Sequence, residues 1–308
     1  MVTRNALARL GDVAADDVLP RLGRFYRGAR RTLDELALGL VGPDFEERAR
    51  AFARRYEQAG GDPFGLDPET AKYAILTCAF FHRVWFRSEV RGIENVPPGR
   101  ALLIANHSGQ VPIDGAMIGA SLFLDHDPPR MIRAMVEKWS QTLPFVSTFF
   151  SRVGQVVGVQ ENARRLLAMG ELLLVFPEGT RGISKPFSRR YQLEEFGLGF
   201  MRLAIETDTP IVPVAVVGAE EQYVNLGNVK WAARAFGMPA FPLIPQVLVP
   251  GGQLPLPTKY HISFGEPMRF RGDADEDDAL LEEKVLIVKQ TIQSMINRGI
   301  KQRKGLFF

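Results

Sequence analysis

The sequence predicts an α/β fold, a largely parallel sheet flanked by helices and preceded by an N-terminal helical segment. From about residue 90 apolar runs alternate with amphipathic stretches, the order of a parallel sheet covered on both faces. The runs Ala101-Leu102-Leu103-Ile104-Ala105, Leu172-Leu173-Leu174-Val175-Phe176 and Ile211-Val212-Pro213-Val214-Ala215-Val216-Val217 are continuously apolar, as strands buried on both faces are. The first two lead directly into polar residues capable of chemistry. Ligands of open α/β sheets bind outside the carboxyl ends of strands.

Taken in order, residues 1–87 read as the helical segment and 88–308 as the α/β domain. Polar, Arg/Glu-rich helices are expected around 16–40 and at Phe45–Gln58, closed by the break Gly60-Gly61-Asp62-Pro63-Phe64-Gly65. Asp67-Pro68 is a helix start, Asp as cap and Pro at the first position. The helix that follows, about 68–87, carries Tyr73, Phe80, Phe81, Val84, Trp85 and Phe86 among Lys72, Arg83 and Arg87. It suits either docking on the core or an interfacial position, with aromatics at headgroup depth and arginines at the rim. Strands are then expected at about 100–105, 131–136, 153–158, 171–176, 211–217 and 259–264. Helices are expected at about 114–123, 143–150, 161–169, 194–207 and 275–304, the last long and amphipathic.

Composition limits the possible functions. The chain has 308 residues, 46% hydrophobic and 24% charged, with a formal charge of +3. One cysteine, Cys78, excludes an intrachain disulfide framework and fits a reducing compartment. Four scattered histidines give no metal-ligand cluster. No secretory signal is expected, and no run reaches the ~18 apolar residues of a spanning helix. Arginines crowd residues 21–31, and Lys301, Arg303 and Lys304 crowd the other end. They read as solvated faces or as contacts to anionic lipid. The Pro-rich stretch 236–245 reads as a packed loop, an acyl-channel lining or a membrane-dipping element.

The chemistry concentrates in two motifs. His107 follows the first buried strand, Gly109 and Pro112 shape the turn, and Asp114 follows seven positions on. A carboxylate bound to an imidazole holds the tautomer whose other nitrogen accepts a proton. Such a pair deprotonates a hydroxyl nucleophile; Asp114 would also suit the N-cap of the next helix. His82, His126 and His261 lack such context and read as structural. In Phe176-Pro177-Glu178-Gly179-Thr180-Arg181, glycine allows a tight turn with exposed N–H groups, and arginine offers a fork for phosphate oxygens. Lys185, Arg189 and Arg190 add charge for an anionic ligand, although Glu178 and Arg181 could simply pair with each other.

Asn106-His107-Ser108…Asp114, with Phe176-Pro177-Glu178-Gly179-Thr180-Arg181 and Ile211-Val212-Pro213-Val214, resembles the glycerolipid acyltransferase superfamily. The flanks Val90-Arg91-Gly92-Ile93-Glu94-Asn95-Val96-Pro97 and Phe264-Gly265-Glu266-Pro267 agree, and the resemblance covers about 88–270. It implies a glycerol-3-phosphate acyltransferase-like fold and acyl transfer from acyl-CoA or acyl-carrier protein to a glycerolipid hydroxyl. His107 would be the base and Asp114 its orienting partner, with no acyl-enzyme. Glu178, Gly179, Thr180 and Arg181 would bind the acceptor, and no metal or cofactor is needed. Implied partners are the acyl donor, a lysophospholipid or other lipid acceptor, and a membrane surface, with no nucleic acid. The implied place is the cytoplasmic face of a membrane, peripheral or monotopic.

Two departures bear on the acceptor. The family's His-x4-Asp is here His107-x6-Asp114, so the loop must bulge to keep the contact. Its Gly-x-x-Phe-Ile-x-Arg block reads Gly154-Gln155-Val156-Val157-Gly158-Val159-Gln160, so Gln160, a possible acceptor contact, stands where an arginine is expected. The favoured acceptor is 1-acylglycerol-3-phosphate, in phospholipid synthesis or remodelling. The alternatives are a neutral acceptor, diacylglycerol or a long-chain alcohol, and a non-catalytic lipid-binding or membrane-adaptor protein.

Overall fold

The computed structural model describes residues 39–107, 112–138, 145–235 and 241–308. The expected helix around 16–40 therefore lies almost wholly outside the described residues. The chain divides into two units, residues 1–46 and 47–308; everything below concerns the second. The division falls well before residue 87 because 47–86 pack on the sheet-bearing part. The Phe52 ring meets Phe123 edge-on, and the Phe86 ring lies tilted with its centroid 4.4 Å from that of Tyr260.

Helices α1 (Phe45–Gln58) and α2 (Pro68–Phe80) precede strand β1 (Glu89–Arg91). The elements then alternate as β2 (Ala101–Ala105), α3 (Ile113–Leu124), β3 (Ile132–Val136), α4 (Val146–Arg152), β4 (Val156–Val157), α5 (Gln160–Ala168) and β5 (Leu172–Val175). The one-turn α6 (Thr180–Ile183), α7 (Gly199–Glu206), β6 (Ile211–Val217), α8 (Lys230–Ala235), β7 (His261–Phe264) and α9 (Asp278–Gln302) complete the chain. The seven strands lie in the order β1-β7-β6-β2-β5-β3-β4, every pair parallel except β6 with β7. The predicted α/β class with a largely parallel sheet is the observed one.

Every residue of β2 and β6 is buried, so these central strands read as unbroken apolar runs. One face packs on α5, α7 and α9 through Leu166, Met201, Val288 and Ile292. The other packs on α3 and on Phe86 and Tyr260. No helix among the described residues is long and apolar enough to cross a membrane.

Several expected elements are shorter, each for a local reason. The helix expected at 194–207 begins only at Gly199 because upstream amides are used elsewhere. Glu194 N donates to Glu178 Oε2 at 2.8 Å and Gly197 N to Pro177 O at 3.1 Å. The strand expected at 153–158 reduces to Val156–Val157, since Val153 N still closes α4 and Gly154 turns at φ 85°. The helix expected to 87 ends in a π turn, Phe81–Trp85, closed by Phe86 N to Phe81 O at 2.8 Å. That wider turn sends Phe86 into the core while Phe80 and Val84 stay exposed. Part of the helix expected at 143–150 falls outside the described residues.

The glycine-rich break at 60–65 is a docking point as well as a boundary. Asp62 accepts from Arg133 Nη1 at 2.7 Å and Nη2 at 3.1 Å, and from the amides of Phe64 and Leu66. Both side chains are fully buried, so the bidentate pair is charge-assisted and shielded from water.

Candidate active site

The central strands β2, β5 and β6 end side by side, and the turns that follow them meet there. After β2, the Asn106 carboxamide extends the ladder to β6: Nδ2 donates to Val216 O at 3.0 Å and Oδ1 accepts from Val216 N at 2.8 Å. This fully buried side chain acts as one more backbone rung and fixes the direction in which His107 leaves the sheet.

His107 Nδ1 lies 2.9 Å from Asp114 Oδ2. The Asp114 side chain is buried, and its other oxygen accepts from Gly115 N at 2.8 Å. Asp114 is therefore not the N-cap, a position taken by Pro112. It sits in the first turn of α3, where the helix dipole favours a carboxylate. The His107 ring stacks at 4.0 Å and 16° on Phe176, which limits ring rotation. With Nδ1 committed to the carboxylate, Nε2 is the basic nitrogen. The bulge expected from the longer spacing cannot be placed, because residues 108–111 lie outside the described residues.

Glu178, expected to bind the acceptor, is 2% exposed and has another role. Its Oε1 accepts from His107 N at 3.0 Å; its Oε2 accepts from Glu194 N at 2.8 Å and Lys185 Nζ at 3.3 Å. The second motif thus holds the main chain of the first. Gly179 takes φ 56° and ψ −144°, a conformation essentially restricted to glycine. Its amide closes the turn onto Phe176 O at 3.0 Å rather than facing a ligand. Thr180 opens α6.

The remaining candidate residues are dispersed. Arg181 is exposed and pairs with Glu195 at 2.9 Å, not with Glu178. Lys185, expected to attract an anion, is buried and already pairs with Glu178 and Glu220. Arg189 pairs with Glu194 at 2.8 Å, and Arg190 lies over the Phe187 ring. Gln160 is exposed at the start of α5, with Nε2 3.4 Å from Gly199 O. His82 contacts Asp125, His126 two carbonyls and His261 Glu89, as structural histidines do. Among the described residues no group of three or more His, Cys, Asp or Glu is placed to hold a metal ion.

Sequence reasoning missed three contributors besides Asn106. Phe176 buttresses the imidazole. Gly182 allows the two motif turns to touch, since a Cβ there would lie 3.0 Å from the Cβ atoms of both Glu178 and His107. Glu220 shares Lys185 from the turn after β6. The available signal for Glu220 was its position, an acidic residue two places beyond Gly218 at the end of the third buried run.

A family model described as Acyltransferase matches residues 87–217, a span that holds His107, Asp114, Glu178–Arg181 and β6. An uncharacterized protein of Mycobacterium leprae is 42% identical over 255 residues, 80% of this chain and 70% of its own. This chain belongs to the acyltransferase family. The acyltransferase is also 26% identical over 218 residues to a mouse protein, covering 70% of this chain and 61% of that one. That protein is described as a DGAT1/2-independent enzyme synthesizing storage lipids. The crystal structure of PlsC, the 1-acyl-sn-glycerophosphate acyltransferase of Thermotoga maritima, has 19% identity and a TM-score of 0.49, covering 90% of this chain and all (100%) of that one.

Proposed function

We propose that this acyltransferase moves a fatty acyl group from acyl-CoA or acyl-carrier protein to the hydroxyl of a lipid acceptor, with His107 and Asp114 as its dyad. The observation that carries the reading is the 2.9 Å contact of His107 Nδ1 with the buried Asp114 carboxylate. His107 Nε2 takes the proton of the acceptor hydroxyl as its oxygen attacks the thioester carbonyl. The tetrahedral adduct collapses, an ester forms, the C–S bond breaks, and the imidazolium returns its proton to the departing thiolate. Asp114 stabilises the imidazolium in between. The residues themselves supply the base and its orientation, and the reading calls for no metal or redox cofactor.

For the acceptor, the charge inventory favours a neutral lipid such as diacylglycerol or a long-chain alcohol over 1-acylglycerol-3-phosphate. Lys185 is committed to two buried carboxylates, Arg189 and Arg181 have acidic partners, and Gln160 is uncharged. The likeness to a protein described as synthesizing storage lipids agrees. A phosphorylated acceptor is the second reading, supported by Arg181. Its pair with Glu195 is exposed on both sides, and such surface pairs contribute only about 0–1 kcal/mol, so a phosphate can replace the carboxylate.

Access to either acceptor is proposed to come from peripheral contact with a membrane. The exposed side chains Phe80, Val84, Leu248, Val249 and Leu254 support this, together with the joining of their segments where Trp85 Nε1 donates to Pro255 O at 3.0 Å. The test is thiol release from acyl-CoA across neutral and phosphorylated acceptors, with His107→Ala as the control. Release by wild type with neither acceptor class, or undiminished release by His107→Ala, would overturn the reading.

A further inference from the structure

The dyad explains how His107 is oriented at its ring, but its main chain is held by a separate buried network that begins at Glu178 and continues inward. Lys185 Nζ lies 3.3 Å from Glu178 Oε2, 3.3 Å from Glu220 Oε1 and 3.0 Å from Gln192 O. An ammonium has three donors, so this one is fully used. Glu220 Oε2 accepts from Tyr191 N at 3.0 Å. We propose that Lys185 and Glu220 are positioning residues for the catalytic histidine, acting through Glu178, with one buried ammonium divided between the carboxylate that holds the His107 main chain and a second carboxylate that competes for it.

The proposal rests on the acyl-transfer reading, in which His107 is the base. Its physical basis is a charge imbalance. With both carboxylates ionised the interior holds two negative groups and one positive group, and an uncompensated buried charge is costly. One proton on Glu220 removes the excess and leaves Lys185 to Glu178. Burial and the charge of Glu178 push the Glu220 carboxyl up to about 7, against the pull of Lys185 and the Tyr191 amide.

The other groups around Glu220 leave that competition undisturbed. Glu221 is engaged by both terminal nitrogens of the Arg303 guanidinium, Nη2 at 2.9 Å from Oε1, and Arg190 lies 3.8 Å away on the same carboxylate. The Tyr191 hydroxyl, kept protonated by burial, accepts from Gly218 N at 2.9 Å, and Tyr223 donates to Gln253 O at 2.7 Å. A small cleft lined by Lys185, Phe187, Arg190, Glu220, Tyr223 and Asn225 lies beside this network.

At the carboxyl edge of the sheet these contacts link the turns after β2, β5 and β6, the first through its His107 amide and the other two through side chains. Above neutral pH the ionised Glu220 draws Lys185 and repels Glu178, loosening the hold on His107. Below it, Lys185 and Glu178 form a one-to-one pair and the hold is firm.

The test uses Lys185→Met, Lys185→Arg and the isosteric Glu220→Gln, which keeps the question open to refutation should Lys185→Met fold poorly. Two readouts are taken. The first, needing no substrate, is hydrogen-exchange protection of the His107 and Glu194 amides, both bound to Glu178, corrected for intrinsic exchange between pH 6 and 8. Wild-type protection should fall severalfold as pH rises, Glu220→Gln should hold the low-pH value throughout, and Lys185→Met should lose tenfold or more. The second is turnover with acyl-CoA. Lys185→Met should lower kcat tenfold or more with KM changed less than threefold, Lys185→Arg should restore part of it, and Glu220→Gln should lack the decline of kcat above pH 7.

Flat protection in wild type, or wild-type protection and kcat in Lys185→Met, would overturn the positioning role. Undiminished turnover in His107→Ala would instead overturn the acyl-transfer reading, leaving the exchange result to judge the network.

Discussion

Replacing Gly182 with alanine tests the contact between the two motif turns. Gly182 is buried in the short helix Thr180–Ile183, where alanine is conformationally welcome and favoured over glycine by about 1 kcal/mol. The added Cβ would lie 3.0 Å from Glu178 Cβ, 3.0 Å from His107 Cβ and 3.1 Å from His107 O. Ordinary contact begins near 3.4 Å, so the His107 and Glu178 turns must separate by about 0.4 Å. Displacing a reacting group by ~1 Å costs on the order of a hundredfold, so this smaller shift should lower kcat about five- to tenfold. Overpacking of about 1–3 kcal/mol, set against the gain in helix propensity, leaves stability within about 2 kcal/mol of wild type. The assay is thiol release from acyl-CoA at saturating acceptor, with Tm measured alongside. A kcat within twofold of wild type at an unchanged or raised Tm would refute the idea that this close approach positions the base.

Asp114→Asn should keep the fold and lower kcat by a hundredfold or more, because the amide cannot stabilise an imidazolium as a carboxylate does; steady-state kinetics with circular dichroism check it. Asp62→Ala strips a fully buried arginine of its partner and should destabilise by about 3–5 kcal/mol, read from urea unfolding. Glu220, its carboxyl raised to about 7 from an ordinary 4.5, holds a proton in the folded chain across a pH range where the unfolded chain does not. Its stabilising contribution is full below about pH 4.5 and is lost as pH rises through about 7, a change on the order of 3 kcal/mol. Glu220→Gln should therefore gain on wild type between pH 5 and 8 in denaturant titrations, and a constant difference would contradict the assignment. Arg181→Ala should raise KM for a phosphorylated acceptor and leave KM for a neutral one unchanged; equal effects would make Arg181 structural.

The sequence by itself determined the scaffold and where its chemistry lies. Short continuous apolar runs suit strands covered on both faces, and those at 101–105, 172–175 and 211–217 became the central strands β2, β5 and β6. A histidine directly after such a strand must emerge at the carboxyl edge of the sheet, and an aspartate in the next helix lies within reach. What local pattern left undecided was the assignment of charges. Glu178, Lys185 and Arg181 lie within eight residues and read alike as ligand groups, yet two turned inward and one outward.

Only the tertiary structure decided this, because adjacency of β2, β5 and β6 places the His107 amide and Lys185 on the Glu178 carboxylate, and Glu220 on the same Lys185 ammonium. Strand order is a non-local property, set by which buried faces pack together, and no spacing along the chain encodes it. The same reason hid Asn106, Gly182 and Asp62, whose partners lie 110, 75 and 71 positions away. A buried polar group takes whichever partner the packing offers, since leaving it unpaired costs more than any local preference contributes.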